Sequence, residues 1–459
     1  MMAAFYYPKG SLTMADNILK FLVFSLSVII LICSFPKRFR KYLLLAANAA
    51  FYLCIASFWG GWIFLAEIIF SHFFVKLLER HKNKFVLSLC IIPPVIALIL
   101  TKFYSFIPHS LFTHNTARLI IPIGISFYTL RIISCAYDVY SGKIDRVPSL
   151  CDYVLYVSLF TQILSGPVMR LKDFAPQIDS IGFDSEGSKY GAFMILSGLL
   201  KKLIVADMSS SYVASVYSNI AGVPYPALWL GAFLYAAEIY ADFSGYSDIS
   251  NGLMRIIGVK VPDNFYAPYF SHGFGDFWRR WHISFSSWLR DYVYIPLGGS
   301  RCSESRHFVN IMITFLVSGL WHGVGMNFAL WGILHGILSY MSPRVKALRN
   351  PLITFILVML LWIPFRSENI SSAMFYFTRM FTGINLSASS IISAILIFTG
   401  DNTCVLYASV LFAGIIIMFL HDIAMTSGKN YSFAFTMIFT VMIILFGRIG
   451  ESAFIYSQF

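Results

Sequence analysis

The chain has 459 residues, of which 58% are hydrophobic, 17% aromatic and 12% charged, whereas a soluble domain carries roughly 25% charged and 45–50% apolar residues. Soluble globular, disordered and collagen-like classes are therefore excluded, and 44 Phe with 26 Tyr in an apolar background specify a polytopic membrane protein. The 34 Lys and Arg against 22 Asp and Glu leave a net charge of +12; no basic, aromatic-interleaved patch stands apart from the apolar segments, so this is loop charge that sets orientation, with no nucleic-acid partner.

In chain order, the first apolar run, Phe21–Cys33, is followed by the cluster Lys37, Arg38, Arg40 and Lys41 rather than by a small-residue cleavage site. It is expected to stay as a first transmembrane helix. Further spans are expected near 42–58, 61–78, 84–100, 119–137, 150–166, 191–206, 226–243, 308–323, 325–341, 351–365, 403–420 and 431–447, with a shorter stretch near 388–399. A crossing takes about 20 apolar residues, which gives roughly eleven to thirteen transmembrane or re-entrant helices. The basic segments 37–41, 80–84, Lys143–Arg146 and Arg344–Arg349 are expected on the cytoplasmic side, with the N-terminus outside. The expected fold is all-α, with residues 1–459 forming a single membrane-embedded domain. Its motif-bearing core is about 20–345, and helices at 350–459 carry no usable motif. The seven cysteines are scattered without a C-x-x-C pair, which argues against a disulfide framework or a metal site and makes them small core hydrophobes.

Between about 244 and 307 the hydropathy pattern breaks. In the segment 276–299, Trp278, Trp281, Phe285, Trp288 and Tyr292 follow at intervals of 3, 4, 3 and 4, one face of a helix, with Arg279, Arg280, Arg290 and Asp291 on the other side. This predicts an amphipathic helix lying in the membrane interface, ended by Pro296-Leu297-Gly298-Gly299, with His282 at the border of its two faces. A plain lipid-headgroup helix would carry the same pattern.

The second departure is Ser318-Gly319-Leu320-Trp321-His322-Gly323. An ionisable residue at membrane depth is costly and points to a functional site. Gly319 and Gly323 leave space for substrate or for close backbone approach, and a neutral imidazole there is a competent general base. A hydrogen-bonded core histidine is the bland alternative. His335, in Trp331-Gly332-Ile333-Leu334-His335-Gly336, repeats the pattern in a supporting or structural role. A third cluster, Glu238, Asp242 and Asp248, sits at or near the end of a span. It is expected to pair with the arginines of the interfacial helix or to line a polar cavity.

The sequence resembles a membrane-bound O-acyltransferase of the group that contains the alginate O-acetylation membrane protein. The resemblance runs through Pro122–Thr129, Tyr137-Asp138-Val139-Tyr140, Gln162, Ser165-Gly166-Pro167, Arg170 and Asp173–Gln177. It continues through Tyr240, Asp242–Asp248, the block 277–299 and Gly319–Gly323. It implies many helices around a central tunnel, with His322 as the catalytic histidine and His282 as a second one. Around them, Trp321, Arg279, Arg280, Trp281, Asn327, Asp242 and Tyr246 are candidate substrate contacts. It also implies acyl transfer, usually acetyl from a cytoplasmic acetyl-CoA or acyl-carrier thioester used as co-substrate with no bound cofactor. The acceptor is an extracytoplasmic polysaccharide or peptidoglycan, reached with a separate SGNH-like partner transferase. A multi-pass protein of the bacterial cytoplasmic membrane, in contact with its lipids, follows. A sister branch moves D-alanine to teichoic acids, but Tyr294-Ile295-Pro296-Leu297-Gly298-Gly299 is closer to the polysaccharide branch. After Met326-Asn327 the chain departs from the Ser-Trp-Thr common in relatives. Intramembrane His and carboxylates would also suit a transporter of lipid-linked saccharide, and a scaffold that only recruits the transferase is a third reading.

Overall fold

The computed structural model describes residues 18–103, 122–398, 403–427 and 432–447, and these are helical, with no strand among them. Phe58–Arg80, Lys84–Phe103 and Cys404–Thr426 are long and apolar enough to cross a membrane, and Ile18–Ser34, Pro351–Arg366 and Phe433–Phe446 are shorter apolar helices. The exposed residues identify the solvent: Phe58, Trp59, Trp62, Leu65, Ile69 and Phe73 on one helix are 38–71% exposed. Such a continuous apolar surface exceeds what a water-facing monomer presents, and lipid accommodates it. The chain is an all-α polytopic membrane protein.

The first helices are α1 (Ile18–Ser34), α2 (Lys37–Ile55), α3 (Phe58–Arg80), α4 (Lys84–Phe103), α5 (Ile125–Tyr140), α6 (Leu150–Val157), α7 (Phe160–Ile163) and α8 (Leu171–Phe174). They belong to one of two compact units, formed mainly by Ala3–Ile195 and Ser247–Asp263. Within it the basic clusters gather at one end. Lys41 Nζ lies 3.1 Å from Asp152, Lys76 Nζ donates to the Val147 carbonyl at 2.7 Å, and Gly142 lies beside Lys82 Nζ. The segments 37–41, 80–84 and 143–146, expected on one side, thus lie together at one end of this unit. The span expected near 119–137 appears as α5, with 119–121 outside the described residues. The one expected near 150–166 is not one continuous helix, because the helix stops at Ser158 and resumes at Phe160. Asn48 of α2 holds the break: its amide donates to Ser158 Oγ at 3.2 Å and its Oδ1 accepts from Phe160 N at 3.1 Å. Buried Arg131 donates to the Tyr156 carbonyl at 2.8 Å and to Gln162 Oε1 at 2.7 Å, satisfying groups that a broken helix leaves open. Cys54, Cys151 and Cys302 are exposed, so only part of the cysteine set is core.

The later helices are α9 (Ser185–Leu200), α10 (Asp207–Ser218), α11 (Tyr225–Ile256), α12 (Phe274–Arg280), α13 (Ile283–Leu289), α14 (Glu304–His322) and α15 (Met326–Met341). They are followed by α16 (Pro351–Arg366), α17 (Ile370–Phe381), α18 (Ala388–Leu396), α19 (Cys404–Thr426) and α20 (Ser432–Phe446). The second unit comprises mainly Leu196–Tyr246 and Asn264–Gly450. A π-helical turn at Lys201–Ala206 follows α9, and such wide turns reorient side chains. Here Lys202 Nζ sits 2.8 Å from Asp242 and 3.0 Å from Asp207, with Lys202 2% exposed. The pairing of Asp242 with interfacial arginines is thus corrected: a lysine from a neighbouring helix compensates it. The span expected near 226–243 also runs further, as α11 continues to Ile256.

α14 and α15 form a tight helical hairpin. A Cβ at Gly319 would collide with the Phe328 carbonyl, and one at Gly332 with the Phe315 carbonyl. The two backbones therefore touch where only glycine fits. Along α14, Val309, Ile313, Val317 and Leu320 form an exposed apolar stripe, 36–42% exposed. His307, Ile311, Thr314, Ser318 and His322 recur at helical spacing on another face. Ser303 caps the helix by accepting from Arg306 N.

Candidate active site

The helix expected over 276–299 is two short α-helices followed by a π-helical turn at Arg290–Tyr294. Trp281 turns extended and His282 is left-handed, at φ 44° and ψ 52°, a conformation that His tolerates better than bulky residues do. No glycine or proline marks this break. It is held from outside: the Asn264 carbonyl accepts from Ile283 N at 2.9 Å, and Tyr266 N donates to the Arg280 carbonyl at 3.0 Å. Start geometry is equally specific. Gly273 has φ 97° and would clash with Ser342 if it bore a Cβ, while Phe274 N donates to Ser342 Oγ at 3.1 Å. The aromatic face also faces protein rather than lipid, with Trp281 1%, Phe285 1% and Trp288 5% exposed. The rings pack on one another because the break folds α12 and α13 against their neighbours in this unit.

His282 Nδ1 lies 3.0 Å from Asn264 Oδ1, and Ser284 Oγ donates to the same oxygen at 2.8 Å. With Oδ1 as acceptor, Nδ1 carries the proton and Nε2 the lone pair. Burial pushes the His282 pKa down to about 3, so this residue is a neutral imidazole and not a phosphate-binding cation. His322 ends α14 and is 4% exposed. Its ring is 4.8 Å from Trp321, 5.4 Å from Trp331, 5.1 Å from Phe365 and 5.9 Å from Phe285. Phe285 is also 5.0 Å from His282. The two histidines singled out in the sequence therefore share one aromatic cluster, bridged by Phe285.

A pocket of about 410 Å³ opens beside this cluster, and Arg279, Arg290, Arg344 and His307 are among its lining residues. Exposure falls from Arg279 (73%) and Arg290 (61%) at the mouth to buried Ser318 at the inner end. Ser318 is one helical turn before His322 on α14. Each mouth arginine has a carboxylate partner: Arg279 with Asp276 at 3.5 Å, Arg290 with Asp291 at 2.8 Å, and Arg344 with Glu304 at 2.8 Å. Trp278 forms part of the pocket wall, and its Nε1–H donates to His335 Nδ1 at 3.3 Å.

The remaining expected contacts separate. Trp321 packs with its ring centroid 4.5 Å from that of Phe285, tilted by 31°, within the histidine cluster. Trp281 is core, 4.9 Å from Trp362 and 5.5 Å from Phe277. Arg280 is drawn off by Asp276 at 3.0 Å. Asn327 donates to the Pro364 and Ser367 carbonyls at 3.1 and 3.0 Å, tying α15 to the end of α16. Asp242 is ion-paired and Tyr246 is 2% exposed, and neither lines the pocket. Residues without a sequence signal are Asn264, Trp362 and Phe365. Only Pro364 inside an apolar run hinted that the end of α16 is special, since a helical proline frees a carbonyl upstream. Among the described residues no three His, Cys, Asp or Glu side chains gather as a metal site.

Residues 139–344 match the model of MBOAT, the membrane-bound O-acyltransferase family. A probable alginate O-acetylase AlgI of Azotobacter vinelandii is 33% identical over 369 residues, 76% of this chain and 74% of that one. The corresponding protein of Pseudomonas aeruginosa is 38% identical over 279 residues, 58% of this chain and 52% of its own, so the chain spans about half the length of that relative. A peptidoglycan O-acetyltransferase of Helicobacter pylori is 29% identical over 394 residues, 73% of this chain and 72% of that one. The matched stretch contains both histidines and the whole pocket lining, but not Trp362 or Phe365.

Proposed function

Because the chain belongs to the membrane-bound O-acyltransferase family, in the branch of the alginate O-acetylation proteins, we propose that it moves an acyl group, acetyl in the first instance, from a cytoplasmic thioester toward an extracytoplasmic polysaccharide or peptidoglycan. It works in the cytoplasmic membrane of a bacterium, and a separate SGNH-like transferase completes delivery to the polymer. One observation carries this reading: a pocket with three arginines at its mouth ends one helical turn from His322. Arg344 belongs to the basic segment that charge sidedness assigns to the cytoplasm, so the mouth opens toward the donor.

The donor's phosphates meet Arg279, Arg290 and Arg344, for which charge-assisted hydrogen bonds are the natural recognition. From His307 at the mouth to His322 along α14 is roughly 22 Å, at about 1.5 Å per residue, so a long thioester arm lying along this face brings its acyl carbon toward the histidine. His322 takes the proton of the acceptor hydroxyl as that oxygen attacks the thioester carbon. His282, neutral and oriented by Asn264, polarises or orients the thioester. The product ester and the free thiol then leave on opposite sides, so the charged donor never crosses the bilayer.

The test uses inside-out membrane vesicles from cells with and without the gene, supplied with radiolabelled acetyl-CoA. Gene-dependent label in envelope polymer, lost in His322→Ala with the protein still inserted, supports the reading. Undiminished label in His322→Ala removes that residue from the mechanism. Saccharide movement without thiol release would favour a transporter instead.

A further inference from the structure

His335 is 0% exposed and its tautomer is set by its neighbour. An indole N–H only donates, so the hydrogen bond from Trp278 Nε1 makes His335 Nδ1 the acceptor and leaves the proton on Nε2. That Nε2–H has no acceptor among the described residues, and the same holds for Trp331 Nε1–H and Trp362 Nε1–H, on rings 1% exposed. The three rings form one group, with centroids 4.7 Å apart for His335 and Trp331, 5.9 Å for Trp331 and Trp362, and 6.3 Å for His335 and Trp362. Trp331 in turn lies 5.4 Å from His322. Buried N–H groups are ordinarily paired, because leaving one unpaired forfeits its hydration. Three such groups on rings in mutual contact, one of them 5.4 Å from the proposed base, are buried donors available to an oxygen brought into the cluster.

We propose that Trp331, Trp362 and His335 receive the carbonyl oxygen of the acyl donor and hold it as an oxyanion during transfer. This rests on the acyl-transfer reading above. The acceptor hydroxyl gives its proton to His322, its oxygen bonds to the thioester carbon, and the carbonyl π pair moves onto the oxygen held by the N–H groups. When that pair returns, the C–S bond breaks and the departing thiolate takes the proton from His322. Thioester and alcohol become ester and thiol, with no further reactant. Donors placed where charge develops strengthen their bonds in the transition state, so they act on the maximal rate more than on donor binding.

The experiment measures vesicle acetylation against acetyl-CoA concentration. His335→Leu removes the N–H, whereas His335→Gln keeps an amide donor near Nε2. A benzothienyl-alanine at position 362 keeps the indole shape and lacks its N–H. Loss of one donor is expected to lower the maximal rate about 10²-fold, with the half-saturating acetyl-CoA concentration changed less than about threefold. His335→Gln is expected to retain at least about a tenth of the rate. An unchanged rate in the position-362 analogue, or equal losses in His335→Leu and His335→Gln with equal thermal stability, overturns the proposal. If His335→Leu does not insert, the position-362 analogue decides. Vesicles from cells without the gene are run in parallel: acetyl label surviving there sinks the acyl-transfer reading itself. Its loss there, with a wild-type rate in the analogue, sinks the oxyanion site alone.

Discussion

Asn264 and His282 are eighteen residues apart in sequence, yet Asn264 Oδ1 sits 3.0 Å from His282 Nδ1 while the Asn264 backbone carbonyl takes the next N–H, that of Ile283. One residue thus fixes both the left-handed turn and the imidazole tautomer. The two roles of His282 are separable, because Asn also enters the left-handed region readily. His282→Asn is expected to keep its melting temperature in detergent within a few degrees and to lose most acetylation. Asn264→Ala leaves a buried donor unmatched, at about 1–3 kcal/mol, and should both lower the melting temperature and slow transfer. Equal activity in His282→Asn and wild type would reduce His282 to a backbone device.

The same histidine carries a pH signature. Its folded pKa, about 3, lies below the roughly 6.5 of an unfolded imidazole, so acid protonates the unfolded chain first. Its contribution to stability is complete above about pH 6.5 and declines as pH falls below that, toward about 3. Melting temperatures from pH 7 to 4 should therefore drop less steeply in His282→Asn than in the wild type. Parallel curves would place the imidazole in a more hydrated setting.

The split between what the sequence revealed and what it hid follows from the range of the interactions. His322, His282 and the glycines of the hairpin were legible because a histidine or a small-residue pattern inside apolar sequence has few cheap explanations. The break at His282 was not, since the 3-4 spacing of Trp278, Trp281 and Phe285 continues through it and the cause is Asn264, outside the helix. The partner of Asp242 was equally hidden, because a π-helical turn decides which way Lys202 points. Trp362 and Phe365 look like ordinary lipid-facing residues in sequence, and only tertiary contact brings them to His322 and Trp331.

The α14–α15 contact gives a sharp packing test. With backbone on both sides of Gly319 and Gly332, an added methyl has no flexible side chain to displace. Gly319→Ala or Gly332→Ala should cost about 1–3 kcal/mol or more, the usual range for overpacking. Because His322 ends the displaced helix, acetylation should fall further than stability does. Thermal melts and vesicle acetylation of the two variants check this, and a fully active Gly319→Ala would show that the helices can separate freely.

Lys202 should be among the least replaceable residues away from the aromatic cluster. It lies between Asp207 and Asp242 with 2% of its side chain exposed, and removing one partner of a buried pair typically costs about 3–5 kcal/mol. Lys202→Met is therefore expected to unfold at much lower temperature than the wild type. Combining it with Asp242→Asn should recover part of the loss, since one uncompensated charge is removed. A double variant no more stable than Lys202→Met alone would show that Asp207 is the dominant partner.

At the pocket mouth, Glu304 pairs with Arg344, one of the arginines proposed to meet the donor's phosphates. Arg344 Nη2 donates to Glu304 at 2.8 Å, its Nη1 to the Tyr340 carbonyl at 2.7 Å, and its guanidinium lies 3.7 Å over the Tyr340 ring. These contacts hold the guanidinium at the entrance, with Glu304 neutralising it. Glu304→Gln should therefore lower the acetyl-CoA concentration giving half-maximal rate. Arg344→Ala should raise it by about fivefold, as expected of a solvent-exposed charge pair, with the maximal rate unchanged because the mouth is remote from the reacting atoms. Both effects should shrink as salt is raised, since exposed charges are screened over about 8–10 Å near physiological ionic strength. A change in maximal rate alone, with no shift in half-saturation and no salt dependence, would mean that phosphates bind elsewhere.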